Sequence, residues 1–391
     1  MSIKDLWISF WQLTTKIIFA RRTKVLFYYP QHFNRTAEGT NPFFDRMLET
    51  CEKHGISYQL IEEPDWGTDK PRNPKAIKGD ALFVLITIIR KIVMKCGVVD
   101  DIPREQITAK IVNLLTLGRF RFPKYITISG SMLELFLYLN RKADVYDMQH
   151  GILFKQKTTF FNKQGHIHPF ISAEPHWHWM MWGKGYDDCF CRGDEAVLTG
   201  RTHVVGYPIA PLYEYGKMFG GEYFLLSLQF KHDYTSRELE LQKAKCEEAL
   251  MQLVDKDVKV LFKHHPRFNN AINIDDWKER FPFCEQTNKS IAELLPDIML
   301  HLTFNSTTSF EYAEYGIPSY FIDPNREAES QGDLFYSEYH YPLYRGMTLS
   351  EVVGRLQDDS LRKQDAEVVR KWYREFYDEF SEDKFIKVID N

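Results

Sequence analysis

Short apolar stretches alternate with helical stretches in both halves of this chain of 391 residues. In the first half, the apolar stretches 24–29 and 57–62 flank a helical segment, Pro42–His54, that ends before Gly55. A strand, a helix and a second strand in this order predict a parallel sheet. The same alternation restarts at Tyr223. The pattern therefore predicts two α/β domains.

Polar clusters follow two of the apolar strands predicted in the second half. The cluster after strand 258–263 is cationic and contains Lys263, His265 and Arg267. The cluster after strand 298–303 is rich in hydroxyl groups, opens a helix with an acid in its first turn, and contains Asn305, Ser306, Thr307 and Glu311. Ligands of open α/β sheets bind at the carboxyl ends of strands, where cations and hydroxyls suit phosphate. With Gln229, which follows strand 223–228, these residues predict a nucleotide site.

A histidine follows a predicted strand of the first half at the corresponding position. His150-Gly151 comes directly after strand 143–148 and Gln149. We expect Gly151 to permit a sharp turn that exposes the imidazole at the sheet edge. A histidine at such an edge can take the proton of an attacking hydroxyl, so His150 is the predicted base. Glu38, in the loop after the first strand, is the reserve candidate.

Several classes of protein are disfavoured. The sequence has neither a Gly-x-Gly-x-x-Gly motif after the first strand nor a phosphate-binding P-loop. Its net charge of −4 does not favour nucleic acid as a partner. The six cysteines lack metal or Cys-x-x-Cys spacing, which predicts reduced thiols in the cytoplasm. His176-Trp177-His178 has no carboxylate or cysteine at ligand spacing, so no metal site is predicted.

The amino-terminal segment raises the question of a membrane. Residues 6–20 are mostly apolar and precede Arg21 and Arg22, but they fall short of the roughly 20 apolar residues that a span requires. Several large apolar residues can share one helical face: Trp7, Phe10, Trp11, Ile17 and Ile18. We therefore expect a helix that lies on an anionic leaflet, as a peripheral contact with the inner face of the plasma membrane. A buried helix is the alternative.

The motifs His265-Pro266, Ser306-Thr307 and His150-Gly151 resemble those of GT-B glycosyltransferases. More narrowly, the sequence resembles bacterial enzymes that build surface polymers. These are the capsule and lipopolysaccharide transferases, which use CMP-activated acids, and the teichoic-acid polymerases, which use CDP-glycerol. In these families the His-Pro and Ser/Thr motifs bind the phosphate of the nucleotide. In the teichoic-acid group the histidine of the His-Gly pair is the proposed base. The acidic-acidic-Gly triplet of the CMP-acid enzymes is matched only in part, by Ala37-Glu38-Gly39.

This resemblance implies an architecture. The fold class would be α/β, with two Rossmann-like domains that face each other across a cleft and a closing helix at the carboxyl terminus. The pattern along the chain places a possible membrane-associating helix at 1–22 and the first Rossmann-like domain at 23–207. It places the second at 222–360 and a helix that packs back on the first domain at 361–391. The resemblance makes the first domain the acceptor domain and the second the nucleotide-donor domain.

The resemblance also implies a reaction. It implies an inverting, metal-independent transfer of a sugar from a nucleotide-activated donor, in the first place a cytidine nucleotide, to a hydroxyl of a surface glycan or lipid-linked acceptor. No cofactor is implied. The catalytic residues would be His150, Glu38 and His265. The donor would contact Lys263, His265, Arg267, Asn305, Ser306, Thr307, Glu311 and Gln229. A non-hydrolysing nucleotide-sugar 2-epimerase, and an inactive GT-B-like scaffold that binds a glycan or a partner, stay open as alternatives.

Overall fold

The chain folds into two compact α/β units. The computed structural model describes residues 3–155, 160–162, 165–191, 195–214, 216–230, 234–265, 273–327 and 333–390. Unit 1 comprises Met1–Ala210 and Tyr377–Asn391, and unit 2 comprises Pro211–Phe376. Each unit contains one sheet, and every strand pair in the described residues is parallel. The predicted α/β class is therefore confirmed.

The sheet of unit 1 has the strand order β3-β2-β1-β4-β5-β6-β7. Its strands are β1 (Val25–Pro30), β2 (Tyr58–Glu63), β3 (Ile77–Lys78), β4 (Lys124–Ile128), β5 (Asp144–Met148), β6 (Trp177–Met181) and β7 (Thr202–Val204). Its helices are α1 (Ile3–Leu13), α2 (Pro42–Lys53), α3 (Asp80–Lys95), α4 (Asp101–Leu115), α5 (Leu133–Leu139), α6 (Pro169–Ala173), α7 (Lys184–Tyr186), α8 (Glu195–Leu198) and the terminal α16 (Glu382–Asp390). A 3₁₀ turn, Gln31–Phe33, follows β1, and π-helical turns occupy Thr14–Ile18 and Asp187–Cys191.

The sheet of unit 2 has the order β10-β9-β8-β11-β12. Its strands are β8 (Tyr223–Leu228), β9 (Lys259–His264), β10 (Cys284–Gln286), β11 (Ile298–Thr303) and β12 (Ser319–Phe321). Its helices are α9 (Ser236–Met251), α10 (Asp275–Arg280), α11 (Ile291–Leu294), α12 (Thr308–Glu314), α13 (Leu334–Ser337), α14 (Leu349–Leu356) and α15 (Asp359–Phe376), with a 3₁₀ turn at Leu295–Asp297. Buried apolar residues form separate clusters on the two faces of this sheet, which is the arrangement of a doubly wound fold.

Both sheets place their first strand beside their fourth. In unit 1 these neighbours are β1 and β4, and in unit 2 they are β8 and β11. Chain connections leave these neighbouring strands toward opposite sides of the sheet. The carboxyl edge at this switch point is where Rossmann-like sheets bind ligands. In unit 2 the loops that begin at Gln229 and Phe304 meet there.

The amino-terminal helix α1 lies on unit 1 with an apolar face exposed. Trp7, Phe10 and Trp11 are 66%, 54% and 61% exposed. The opposite face is anchored by Ser9, whose hydroxyl donates to the Lys78 carbonyl and accepts from the Ala81 amide at 2.5 and 2.8 Å. Ile17 was predicted to lie on this exposed apolar face, and that prediction is wrong because Ile17 is buried. The π-helical turn at Thr14–Ile18 rotates it away from the tryptophans.

Two other segments differ from the sequence-based prediction. No strand is predicted within the stretch 152–180, but it contains the start of β6, so Trp177 and Trp179 lie inside the core of unit 1. The segment 361–391, expected to be one helix on the first domain, contains most of α15 in unit 2 and all of α16 in unit 1. None of the described helices is both long enough and apolar enough to cross a bilayer.

Candidate functional site

A pocket of about 280 Å³ lies at the switch point of unit 2. Because β9, β8 and β11 are neighbours in a parallel sheet, their carboxyl ends bring the loops that follow them to this one edge. The pocket is lined by Ser227, Leu228, Gln229, Lys263, His264, His265, Ser290, Ile291, Ser306, Thr308 and Tyr312. Its volume is at the lower end of the range for small-molecule sites, about 300–1,000 Å³. The pocket therefore combines cations with hydroxyl groups, as phosphate recognition requires.

Gln229 organises the loop after β11. Its side-chain oxygen accepts hydrogen bonds from the Thr303 hydroxyl at 2.9 Å and from the Asn305 amide at 3.1 Å. The Thr303 hydroxyl in turn accepts from the Ser306 amide at 3.1 Å. The Ser306 and Thr308 hydroxyls lie 2.7 Å apart. Gln229 thus fixes the backbone that presents Ser306 and Thr308 to the pocket.

The cationic side of the pocket comes from the end of β9. The Lys263 ammonium donates to the Lys289 carbonyl at 2.5 Å, which places it beside the start of α11. Burial lowers the pKa of Lys263, and the nearby charge of Glu293 opposes that shift. Burial also lowers the pKa of His264. The His265 amide donates to the Leu228 carbonyl at 3.1 Å, so β8 and β9 stay paired up to the pocket.

A buried histidine beneath the pocket, His301 on β11, escaped the sequence analysis. Its Nε2 lies 2.8 Å from the Ser227 hydroxyl and 3.5 Å from that of Thr308, and both of these residues line the pocket. Its Nδ1 lies 3.1 Å from the Ser319 hydroxyl. Burial lowers the pKa of His301 to about 3, so the ring is neutral and both nitrogens serve as hydrogen-bonding groups. The only signal in the sequence was a polar residue inside an apolar strand.

The hydroxyl of Tyr312 is a second group that sequence reasoning did not identify. Tyr312 lines the pocket and stacks against His301 with ring centroids 4.6 Å apart. Its hydroxyl is buried and has no hydrogen-bond partner in the part of the chain that the structure describes. A buried hydroxyl is normally paired, so this group stands out among the residues that line the pocket.

The other predicted residues of unit 2 occupy varied positions. Asn305 lies in the loop that Gln229 holds. Thr307 is exposed at the start of α12, and Glu311 is exposed in its first turn. Neither is among the described residues that line the pocket. Arg267 and Pro266 lie outside the described residues.

In unit 1, His150 lies two residues beyond β5, against the turn that follows β1. The Phe33 ring meets the imidazole edge to face, with centroids 5.5 Å apart. Gln149 holds the loop, since its side-chain oxygen accepts from the Trp182 amide at 3.1 Å. Burial, followed by the charges of Arg35 and His32, lowers the pKa of His150 to about 4. The imidazole is therefore neutral near pH 7 and has a lone pair that can accept a proton.

Gly151 and Glu38 are the other two residues that the sequence singled out at this edge of unit 1. Gly151 is not required by the turn, because its φ is not positive and a Cβ there would meet no atom within 4 Å. Glu38 is exposed in the turn before Gly39. The turn does require Gly39, whose φ is +77° and whose added Cβ would lie 2.9 Å from the Arg72 carbonyl. The charges that act on His150 are those of Arg35 and His32, and Glu38 is not among them.

Two buried carboxyl groups near the switch point of unit 1 were also missed. Asp147 on β5 accepts from the Gly130 amide at 3.1 Å, and burial raises its pKa to about 7. Glu63 accepts from the Ser131 hydroxyl at 2.8 Å, and burial raises its pKa. Both groups hold the loop after β4, where Ser129 and Gly130 have positive φ. Their sequence context gave no sign that they would converge on this loop.

Among the described residues, no three His, Cys, Asp or Glu side chains come together as a set of metal ligands. The His176-Trp177-His178 segment lies at the start of β6, away from the carboxyl edge.

Comparisons with known proteins identify the fold. The sequence matches no protein-family model and no curated protein. Among solved structures, the wall teichoic acid polymerase TagF is similar with a TM-score of 0.51 and 14% identity, over 99% of this chain and 92% of that chain. The S. aureus protein MnaA, in complex with UDP, is similar with a TM-score of 0.50 and 8% identity, over 94% of this chain and 96% of that chain. A UDP-GlcNAc 2-epimerase from Methanocaldococcus jannaschii has a TM-score of 0.49 and 12% identity, over 94% of this chain and 99% of that chain.

These similarities extend over nearly the whole chain. Together with the two sheets and their shared strand order, they show that the chain has the GT-B fold of two Rossmann-like domains. The resemblance to teichoic-acid transferases is thus confirmed for the fold. At identities of 8 to 14% these similarities show the fold alone.

Proposed function

We propose that this chain is a glycosyltransferase that moves a sugar from a nucleotide-activated donor to a hydroxyl of a surface glycan or lipid-linked acceptor. The observation that carries the proposal is the pocket at the switch point of unit 2, where Lys263, His265 and Ser306 meet. This is the edge at which Rossmann-like sheets bind nucleotides. The fold shared with TagF and with the UDP complex of MnaA supports a nucleotide donor.

The donor nucleotide would lie on unit 2. Its phosphate would receive hydrogen bonds from Ser306 and Thr308 and the positive charge of Lys263. The ribose would extend beyond the pocket lining to Glu311, which is exposed in the first turn of α12. As the bond from the anomeric carbon to the phosphate oxygen breaks, negative charge grows on the leaving nucleotide, and fixed cations such as His265 stabilise it without a bound metal. Cytidine is the first choice of base, because the His265-Pro266 and Ser306-Thr307 motifs resemble those of enzymes that use CMP and CDP donors.

The acceptor hydroxyl would lose its proton to His150. Its oxygen forms the new bond to the anomeric carbon on the side opposite the leaving phosphate, which inverts the configuration. An imidazole of low basicity is adequate for this step, because the hydroxyl proton becomes strongly acidic as the carbon–oxygen bond forms. Glu38 is the second candidate for the base.

Product analysis tests this function. The full chain is incubated with CMP-, CDP- and UDP-activated donors, with and without a lipid-linked or glycan acceptor. We expect nucleotide release that depends on the acceptor, and we expect the His265→Ala variant to lose it. Conversion of the donor into its 2-epimer without any acceptor would instead identify an epimerase. A chain that binds glycan yet leaves every donor intact would be the inactive scaffold.

We propose in addition that unit 1 contacts an anionic membrane surface. The exposed residues Trp7, Phe10 and Trp11 of α1 form an apolar face. A shallow cleft next to it is unusually basic, with five cationic side chains in its lining: Lys16, Arg21, Arg22, Arg119 and Arg121. Aromatic residues beside cations match the boundary between acyl chains and anionic headgroups.

Vesicle co-sedimentation tests the membrane contact. The double variant Arg119→Glu/Arg121→Glu should bind phosphatidylglycerol-containing vesicles at least about tenfold more weakly, because each basic residue near such a surface contributes roughly 1 kcal/mol. The Lys110→Glu variant reverses the charge of an exposed lysine on α4 outside this cleft and should bind as the wild type does. Equal binding to vesicles of phosphatidylcholine alone would refute the electrostatic contact.

A further inference from the structure

Unit 1 has a second pocket, of about 450 Å³, away from the carboxyl edge of its sheet. The residues that line it are Asp144, Tyr146, His178, Gly200, His203, Val204, Lys384, Lys387 and Val388. Asp144 and His178 lie near the starts of β5 and β6 and Tyr146 lies at the middle of β5, whereas His150 follows the carboxyl end of β5. The pocket is therefore separate from the predicted base.

The sheet face under this pocket is polar. Strand register pairs Lys124 with Asp144 and Tyr146 with His178, and alternation places these four side chains on one face. Helix α16 covers that face: the carbonyl of Val388 accepts from the Lys124 ammonium at 3.2 Å and from the Tyr146 hydroxyl at 3.1 Å. A sheet face beneath a helix is ordinarily apolar, because burying polar groups costs free energy. This polar face is not explained by packing.

The imidazoles in the pocket form a chain that ends on a carboxylate. Asp144 Oδ1 lies 3.4 Å from His178 Nε2 and 2.9 Å from His176 Nδ1. His178 Nδ1 lies 3.0 Å from His203 Nε2. When His178 donates a hydrogen bond from Nε2 to Asp144, its Nδ1 can accept one from His203 Nε2, and the other nitrogen of His203 is left as the site that a further proton would occupy.

This chain is not arranged around one metal ion. Asp144 approaches Nε2 of His178, whereas His203 approaches Nδ1, on the other side of the same ring. A single ion cannot be bound by all three groups from these positions, in agreement with the absence of a ligand set in the described residues.

Positive groups outnumber negative ones at this pocket. Lys124 is buried, and no carboxylate of the described residues lies within 4.0 Å of its ammonium. Helix α16 adds Lys384, whose ammonium lies 3.1 Å from Asp378, and the exposed Lys387. The carboxylate of Asp144 is already engaged by two imidazoles. The electrostatics of the pocket therefore favour an anion.

We propose that this pocket is a second ligand site, which binds a small phosphate-bearing anion between the polar sheet face and α16. The lysines of α16 line the pocket and supply the charge, the buried Lys124 adds to it from beneath, and His203 supplies a proton donor. This site is independent of the proposed transfer reaction, and it assigns a role to the alternating histidines of β6 that the reaction does not use.

Binding at this site is expected to take up a proton. Burial, followed by the charge of His178, lowers the pKa of His203 to about 4, while Asp144 opposes that shift. The hydrogen bond from His178 keeps the pKa of Asp144 at about 2, so this carboxylate stays ionised. The other groups that face the chain are His176, Tyr146, Lys124, Lys384 and Lys387. A bound anion favours protonated His203, so binding should tighten as the pH falls from 8 toward about 5.

Calorimetric titration of the full chain with pyrophosphate tests the proposal. Lys387→Glu should bind at least about tenfold more weakly, the order expected from reversing one charge beside an anion. The matched charge reversal Lys110→Glu should bind as the wild type does. His265→Ala, which changes only unit 2, should retain the site, so that a failure of the transferase assignment would not affect this result.

Measuring the proton that His203 takes up on binding makes the test more specific. Titrations in two buffers of different ionisation enthalpy at pH 6 should show proton uptake in the wild type and none in His203→Gln. Because Lys387 is exposed, the Lys387→Glu variant should fold, and it tests the proposal even if His203→Gln does not fold. Failure of the wild type to bind at millimolar pyrophosphate, or equal affinity in the wild type and Lys387→Glu, would overturn the proposal.

Discussion

Replacing His150 with alanine is expected to lower kcat for transfer by about 10²–10⁴-fold, the usual contribution of a general base. The affinity of unit 2 for nucleotide should not change, because His150 belongs to unit 1, whereas the described residues that line the proposed nucleotide pocket all belong to unit 2. His150→Gln should behave in the same way, since an amide retains hydrogen bonding but cannot accept the proton. Steady-state kinetics with calorimetric measurement of nucleotide binding separates the two effects.

The dependence on pH provides a signature of the same residue. A base works in its neutral form, and burial lowers the pKa of His150 to about 4. Activity of the wild type should therefore persist as the pH falls through 6.5, the ordinary value for histidine, and kcat/KM should decline only near pH 4. The exposed His166 offers a matched control: His166→Ala should retain full activity. Full activity in His150→Ala would exclude His150 as the base and direct attention to Glu38.

Replacing His301 with phenylalanine is expected to weaken nucleotide binding by about tenfold or more. The imidazole fixes the hydroxyls of Ser227 and Thr308 at the floor of the pocket, and phenylalanine would leave them without that partner. Phenylalanine would also remove the partner of the buried Ser319 hydroxyl, and leaving a buried polar group unpaired costs about 1–3 kcal/mol, so unit 2 should also lose stability. Calorimetry and thermal unfolding measure the two consequences. His301 acts here as a positioning residue, because its contacts are with the hydroxyls.

A control is needed that destabilises the same strand without changing the pocket. Leu300 precedes His301 on β11, is fully buried and belongs to the core cluster that contains Leu302 and Val260. Leu300→Ala should cost about 2–5 kcal/mol. At a temperature where both variants are folded, Leu300→Ala should bind nucleotide as the wild type does. Equal loss of binding in both variants would mean that His301 supports stability alone.

The sequence allowed the sheets and the edge that holds the pocket to be predicted. Apolar strands of five or six residues alternate with helices, and parallel pairing then brings every loop at a strand's carboxyl end to one side. For this reason the sequence predicts that Lys263, His265 and Ser306 lie near one another. The sequence predicts that Gln229 contacts the nucleotide donor. In the structure its side-chain oxygen accepts hydrogen bonds from Thr303 and Asn305.

Other features depend on packing that no local pattern contains. His301 appears in the sequence as one polar residue in an apolar strand, and only the fold surrounds it with hydroxyls from β8, β12 and α12. The terminal helix was expected to continue, but residues after Phe376 pair with the chain near Tyr207, whose amide donates to the Asp378 carbonyl at 2.7 Å. That pairing divides the segment into α15 and α16, and it places α16 over the polar face of unit 1.

The central claim is that unit 2 binds the nucleotide of an activated donor, and calorimetric titration of the full chain with CMP, CDP, UDP and GDP tests it most directly. The account predicts that at least one of these nucleotides binds with one site per chain, and that His265→Ala weakens this binding. A wild-type chain that binds none of the four would contradict the account.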